Sequence, residues 1–307
     1  MTCRLPFSLL GLFLVAVVAP TTAGQVAPPR ATFRGGVDLV PVAAVVRDER
    51  GRTVGGLRAE DFVVVDGGER RPVLGFSEDP AAPVSLAVLV DESGSMIGDR
   101  ERARAFVAAL VAELGRMRVA GDRAALAGFS SSVREIVPFT TDFGRLQAGI
   151  EETGAFGATA VHDAIADAAR RLVPVEGRRA LVVVTDGMDT RSRLTIEQVS
   201  GIASAIDVPV YVALLEGAWG RRLESGASLE ELARWTGGDA LDAVSAGAAG
   251  AAASRIVSDV RHQYLIAFES APEPGWRLLE IRTTQPGLTV RARSAYVAGP
   301  GGGRGTR

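Results

Sequence analysis

No lysine occurs anywhere in the 307 residues, so all 34 basic side chains are arginine. A Walker-type phosphate loop needs its lysine, as does a Schiff base with pyridoxal phosphate, and neither can be built here. The single cysteine, Cys3, precedes the first apolar segment. A chain cleaved beyond that segment has no thiol for nucleophilic chemistry, a disulfide or a lipid. Two histidines, His162 and His262, are too few for a histidine-rich zinc centre and leave few bases for a serine nucleophile. No Gly-x-Ser-x-Gly elbow occurs either. Charge of one sign is also lacking: the formal net charge is −2, which gives nucleic-acid binding no support. Arginine without lysine, beside abundant Ala, Gly and Val, reads as compositional bias of the source genome.

Long hydrophobic runs are missing as well. The longest, Leu9 to Ala19, falls short of the roughly 20 residues that a spanning helix needs. Preceded by Arg4 and followed by Thr21-Thr22-Ala23, it reads as a secretory signal over residues 1–23. The alternative is an uncleaved anchor. Export to the periplasm or the medium, with no membrane span after cleavage, is the expectation, and a disulfide-free exported chain fits a bacterial cell envelope.

What is present is ordinary globular composition, 47% hydrophobic and 23% charged, enough for one large domain with smaller appendages. After a linker over 24–36, residues 37–83 read as extended: Val37 to Val46, Phe62 to Gly68 and Val73 to Phe76, with turns between them. Asp79-Pro80-Ala81-Ala82-Pro83 reads as a stiff connection. Over 84–245 apolar strand-like runs alternate with amphipathic helices, the signature of βα units on a mostly parallel sheet. Strands are expected at Val84 to Val90, Arg123 to Phe129, Ala180 to Thr185, Val208 to Leu214 and Ala240 to Val244. Helices are expected at Asp99 to Arg118, Asp142 to Thr153, Ala160 to Leu172, Thr195 to Ile206 and Ser228 to Thr236. Most of the strands are apolar on both faces, which implies helices on both sides. Only Ser130-Ser131-Ser132 separates Arg123 to Phe129 from Val133 to Phe139, too short for a crossover, so that pair is antiparallel and Val133 to Phe139 closes an edge.

Over 246–298 a helix from Ala246 to Arg261, weakened by Gly247 and Gly250, precedes strands at Gln263 to Glu269, Trp276 to Thr284 and Leu288 to Ala292. Residues 299–307 form a glycine-rich tail. Neither flank has enough apolar surface to stand alone, so the two are expected to meet as one accessory β unit beside the main domain. The fold class is therefore α/β, a Rossmann-like doubly wound sheet with one antiparallel edge strand and a small accessory β unit.

Ligands of such sheets bind outside the carboxyl ends of the strands. Three loops carry oxygen ligands there. Asp91-Glu92-Ser93-Gly94-Ser95 follows the first strand of the main domain and offers a carboxylate and two hydroxyls at alternate positions, a set suited to a hard divalent cation. Gly157-Ala158-Thr159-Ala160 precedes a helix that Thr159 could cap. Thr185-Asp186-Gly187-Met188-Asp189 ends the Ala180 strand. The piece Gly154 to Thr159 lacks the spacing and the lysine of a phosphate cradle. Taken singly, Asp91 and Ser93 also read as caps of the helix beginning near Asp99, and Asp186 as a turn aspartate.

Together the loops resemble a von Willebrand factor A domain with an intact metal-ion-dependent adhesion site, whose pattern is Asp-x-Ser-x-Ser, a distant threonine and Thr-Asp-Gly. The pattern falls on Asp91, Ser93, Ser95, Thr159 and Asp186, within Val84 to Val244. The resemblance implies Mg²⁺, with Mn²⁺ or Ca²⁺ as alternatives, bound directly by Ser93 and Ser95, directly or through water by Thr159, and mainly through water by Asp91 and Asp186. Neutral hydroxyl ligands with the carboxylates held back leave the ion able to accept an acidic side chain from a partner. Asp189 and His162 are candidates for an outer layer of support, against a solvated loop carboxylate and a helix-start histidine, while Glu92 should point away. The flanks, including Asp48 to Leu57, Arg261-His262-Gln263-Tyr264 and Arg291 to Tyr296, are similar to an exported bacterial subgroup numerous in Acidobacteria.

Three functions remain in view. The first is an exported, non-enzymatic binding module that uses the cation to hold an Asp or Glu carboxylate of a partner protein. The second is metal-assisted hydrolysis with Asp186 or His162 as base. The third is a structural metal that ties the loops together.

Overall fold

The computed structural model describes residues 39–154, 156–175, 177–215 and 226–299. The expected signal, the linker, Val37-Asp38 and the tail from residue 300 onward lie outside them. In chain order the flank opens with β1 (Leu39–Arg47), β2 (Phe62–Asp66), β3 (Glu69–Arg71) and β4 (Gly75–Glu78). The main domain comprises β5 (Val84–Asp91), α1 (Arg100–Arg116), β6 (Arg123–Phe129), β7 (Val133–Thr140), α2 (Gly144–Gly149), α3 (Val161–Arg171), β8 (Arg178–Thr185), α4 (Ile196–Ile206), β9 (Val210–Leu214), α5 (Gly226–Trp235) and β10 (Ala240–Asp242). It is followed by α6 (Ala246–Arg261), β11 (Tyr264–Glu269), β12 (Gly275–Thr283), β13 (Thr289–Ala292) and β14 (Ala295–Ala298).

The main sheet has six strands in the order β10-β9-β8-β5-β6-β7. All neighbours are parallel except β6 and β7, which pair antiparallel with Phe129 opposite Val133. Three serines cannot span a crossover, so the hairpin and the edge position of β7 follow from loop length alone. Alternation along β5 turns Val84, Leu86, Val88 and Val90 into a core with Phe106, Val107, Leu110 and Leu114 of α1, Leu146 of α2, and the buried stripe of α6. The opposite face of the sheet packs Leu89, Leu181 and Val183 against α3, α4 and α5. Helices on both faces explain why these strands carry almost no polar alternation.

Helix boundaries follow caps and stripes. Thr195 and Gln198 exchange side-chain and backbone hydrogen bonds at the start of α4, and Ser245 accepts from the Ala248 N–H at the start of α6. Helix α6 spans Ala246 to Arg261 despite its glycines, because Ala249, Ala252, Ala253, Ile256, Val257 and Val260 form one buried stripe. The helix expected over Asp142 to Thr153 is shorter: α2 ends at Gly149 and tightens into a 3-10 turn over Ile150–Glu152.

The flanks form two four-stranded antiparallel sheets, β13-β1-β11-β4 and β14-β12-β2-β3. Each mixes strands from both ends of the chain, β1 pairing with β11 and β2 with β12. Val40, Val42, Ala44 and Val46 of β1 meet Phe62, Val64, Ile266, Phe268, Leu279 and Ile281 in their shared core. The accessory unit is thus a small sandwich that exists only because the two flanks meet.

Arginines join it to the main domain. Arg178 at the start of β8 donates to the carbonyls of Arg261 and Gln263, the latter at 3.0 Å, where α6 passes into β11. Arg293 donates to the carbonyls of Ser204 in α4 and Pro41 in β1. Buried Arg47 of β1 pairs with buried Asp259 of α6, whose other oxygen accepts from Thr53 at 3.1 Å. Among the described residues no helix is long and apolar enough to cross a membrane.

Candidate metal-binding site

The chain runs from β5 outward to β6 on one side and resumes at β8 on the other, so strand order reverses between β5 and β8. A crevice opens at the carboxyl ends of strands at such a point. The loop Asp91 to Ser95 leaves β5 there, and the loop beginning at Asp186 leaves β8 beside it.

Asp91 is buried, and both of its oxygens accept hydrogen bonds. The Ser93 N–H reaches Oδ1 at 2.8 Å, and the Thr185 hydroxyl reaches Oδ2 at 2.7 Å. Burial pushes the Asp91 carboxyl up to about 6, and the neighbouring Asp186 carboxylate adds to that, against the Thr185 and Ser93 hydrogen bonds that favour the ionised form. Ser93 Oγ lies 3.0 Å from Ser95 Oγ, with Ser93 buried and Ser95 exposed. Neither Asp91 nor Ser93 caps α1, whose N-cap is Asp99, and the Ser93 hydroxyl caps no helix.

Backbone bonds bring the other two loops in. The Gly94 N–H donates to the Gly157 carbonyl at 3.0 Å, and the Phe156 N–H to the Glu92 carbonyl at 2.6 Å. Thr159 is buried, its N–H donates to the Thr190 hydroxyl at 3.1 Å, and its carbonyl accepts the N–H groups of Thr190 and Arg191. The expected capping role fails: α3 has Ala160 at its N-cap, with no side-chain cap, because the Thr159 backbone is already committed to the Thr190-Arg191 segment. Asp186 is buried, with Oδ1 accepting the Met188 N–H at 3.0 Å across Gly187, which sits at φ 91 as only glycine readily does.

Three neighbours resolve differently. Glu92 turns away from the crevice, accepting from the Gly154 N–H at 3.0 Å and from Arg134 at 2.6 Å, so it clamps the middle loop to β7. His162 and Asp189 pair with each other, Nδ1 to Oδ2 at 3.1 Å, and Asp189 also accepts the Ser192 N–H at 2.9 Å. They fasten the third loop to the start of α3. Thr185 and Thr190 were not singled out by sequence reasoning. Thr185 stands inside the Thr-Asp-Gly motif, but its use appears only once β8 is seen beside β5.

No cluster of three or more His, Cys, Asp or Glu side chains able to hold a metal occurs among the described residues. The oxygen set here is rich in hydroxyls instead. A buried carboxylate pushed up by burial, two serine hydroxyls in contact and a buried threonine make a donor set that fits a hard divalent cation.

Residues 86–188 match the von Willebrand factor type A domain family. The chain carries a von Willebrand factor type A domain. A von Willebrand factor type A protein from Catenulispora acidiphila shares the fold at 11% identity and a TM-score of 0.50, over 87% of this chain and 74% of that one. The chain also aligns with an aerotolerance-related membrane protein from Bacteroides fragilis, at 21% identity and TM-score 0.46, over 58% of this chain and 98% of that one. The PilB minor pilin from Streptococcus sanguinis aligns at 16% identity and TM-score 0.44, over 62% and 63% of the two chains. No curated protein matches the sequence. The expected Rossmann-like A-domain fold, with its antiparallel edge strand, is the fold observed.

Proposed function

We propose that the A domain is a protein-binding module in which Ser93, Ser95 and Thr159, backed by Asp91 and Asp186, hold a divalent cation, Mg²⁺ foremost with Mn²⁺ or Ca²⁺ as alternatives. The bound cation supplies an electrophilic position for a carboxylate of a partner protein. The observation that carries this reading is the pairing of buried Ser93 with exposed Ser95, hydroxyl to hydroxyl, over the buried Asp91 carboxylate. Charged ligands kept behind neutral ones leave a cation underneutralised and receptive to an outside anion.

Thr185 and the Ser93 N–H orient Asp91, while the Met188 N–H orients Asp186. Binding needs no catalytic base, and the module is read as non-enzymatic. Hydrolysis draws little support, since a ligand set rich in serine hydroxyls is a poor way to sharpen a metal-bound water. Residues 1–23 support export to the cell envelope, and the flanking motifs support kinship with the exported bacterial subgroup.

The test is a pull-down from the source organism's envelope with and without Mg²⁺. Partners should elute with EDTA and be absent from an Asp91→Ala bait. Capture that survives both removes the adhesion reading. Mg²⁺-dependent turnover of simple esters or phosphate esters would put hydrolysis in its place, and loss of folding on chelation would favour the structural role.

A further inference from the structure

Nine large apolar side chains stand exposed among the described residues, and three of them belong to the site loops, one on each. Ile97 is 69% exposed and lies two residues after Ser95, in the 3-10 turn Gly94–Gly98. Phe156 is 79% exposed, and its N–H donates to the Glu92 carbonyl of the first loop. Met188 is 40% exposed, and its N–H donates to the Asp186 carboxylate. Singly exposed apolar side chains are normal on any protein. Here Phe156 and Met188 are each fixed by a bond to the site's own backbone or carboxylate, and Ile97 by the 3-10 turn that contains Ser95, so their positions are set together with the site.

The middle loop shows how. A Cβ at Gly154 would meet the Phe156 ring at 2.7 Å, so the glycine leaves room for the ring to lie close over the loop. Arg191, exposed and tied by its N–H to the Thr159 carbonyl at 2.8 Å, adds positive charge at the same rim. Apolar contact around a central electrostatic anchor is how interfaces shield a strong polar contact from water.

We infer that Ile97, Phe156 and Met188 form an apolar rim that selects a partner loop in which the anchoring Asp or Glu is flanked by apolar side chains. The inference rests on the proposed cation-binding reading and adds the partner's chemistry to it. The Arg191 charge and the cation favour an acidic anchor, while the rim rejects an acidic loop with polar neighbours, whose flanks would be desolvated without compensation.

The probe is a phage-displayed library of disulfide-closed loops with a fixed central aspartate and random neighbours, panned on the full chain in Mg²⁺ and eluted with EDTA. Positions beside the aspartate should be enriched about fivefold in Leu, Ile, Phe, Met and Trp over the input, the ratio that partial burial of one apolar side chain supplies. The combined variant Ile97→Ser, Phe156→Ser should bind Mg²⁺ in calorimetry like the parent and yield an EDTA-eluted pool with that enrichment lost or sharply reduced. A parent pool with no apolar preference overturns the rim and leaves the cation reading standing. An apolar pool that EDTA does not release also overturns it, since the rim would then act without the anchor. Absence of any heat of Mg²⁺ binding to the parent overturns both.

Discussion

The Thr185 hydroxyl donates to Asp91 Oδ2 at 2.7 Å and accepts the Gly187 N–H at 3.1 Å, joining the ends of β5 and β8 through one oxygen. Both strands deliver a site loop, so this bond aligns the first loop with the third. Thr185→Val keeps the shape and removes both bonds, stranding a buried carboxylate oxygen and a buried N–H. Urea denaturation should show a loss of about 1–3 kcal/mol, and calorimetry should show Mg²⁺ binding weakened about tenfold or more. Thr185→Ser should restore most of both. Unchanged Mg²⁺ affinity in the valine variant would detach Thr185 from the site.

Asp91 gives the metal-free protein a particular pH dependence. Its folded carboxyl titrates at about 6, against 3.8 when unfolded, so folding favours its protonated form. That contribution is fully present below 3.8 and is lost as pH rises through about 6. At neutral pH the ionised group then costs about 3 kcal/mol, at roughly 1.4 kcal/mol per tenfold change in proton affinity. Asp91→Asn should therefore stabilise the chain in EDTA at pH 7.5 and make little difference near pH 4, by thermal melts at both values. A variant equally destabilised at both would show that burial does not govern this carboxylate.

The strands of the main sheet were readable because they are apolar on both faces, and the β6–β7 hairpin because Ser130 to Ser132 leaves room for nothing else. Strand β3 was not readable: Glu69, Arg70 and Arg71 carry no apolar signal and pair only because β2 lies alongside. Strand β14 is four residues whose burial depends on Tyr296 meeting Phe268 from another sheet. At the site, the spacing of Asp91, Ser93 and Ser95 placed three oxygens on one loop, and the structure sets the serine hydroxyls in contact. The capping role given to Thr159 failed because the partners of its backbone lie about thirty residues away. Arginine in place of lysine read as genome bias, yet Arg178, Arg261 and Arg293 each bind two or more distant acceptors. A planar fork can do that, and a lysine's compact ammonium does it poorly.

Arg261 makes this measurable. It contacts Asp122 Oδ1 at 3.1 Å and Oδ2 at 2.5 Å, the Ala82 carbonyl at 3.1 Å and the Met117 carbonyl at 3.2 Å. One buried side chain thus ties the end of α6 to the end of α1, the turn before β6 and the lead into β5. Arg261→Met leaves the buried Asp122 without its counter-charge and should cost about 3–5 kcal/mol in denaturant titrations. Arg261→Lys should recover only part of that loss. Full recovery by lysine would mean that charge alone, and not the fork, holds the junction.

Gly128 tests how far the site depends on the clamp behind it. Glu92 lies so close over this glycine of β6 that a Cβ there would meet its carboxyl carbon at 2.3 Å. Gly128→Ala must displace the Glu92 side chain, which frees the Gly154 N–H and Arg134 and slackens the loop leading to Thr159. The core strands keep their pairing, so far-ultraviolet circular dichroism should be unchanged. Mg²⁺ affinity should fall by about tenfold, the lower end of what losing an outer support of a metal site costs. Glu92→Gln should fall less, because the amide oxygen still accepts from the Gly154 N–H. If Gly128→Ala binds Mg²⁺ like the parent, the middle loop is held by its backbone bonds to Glu92, Gly94, Thr190 and Arg191, and the Glu92 carboxylate serves only the β7 edge.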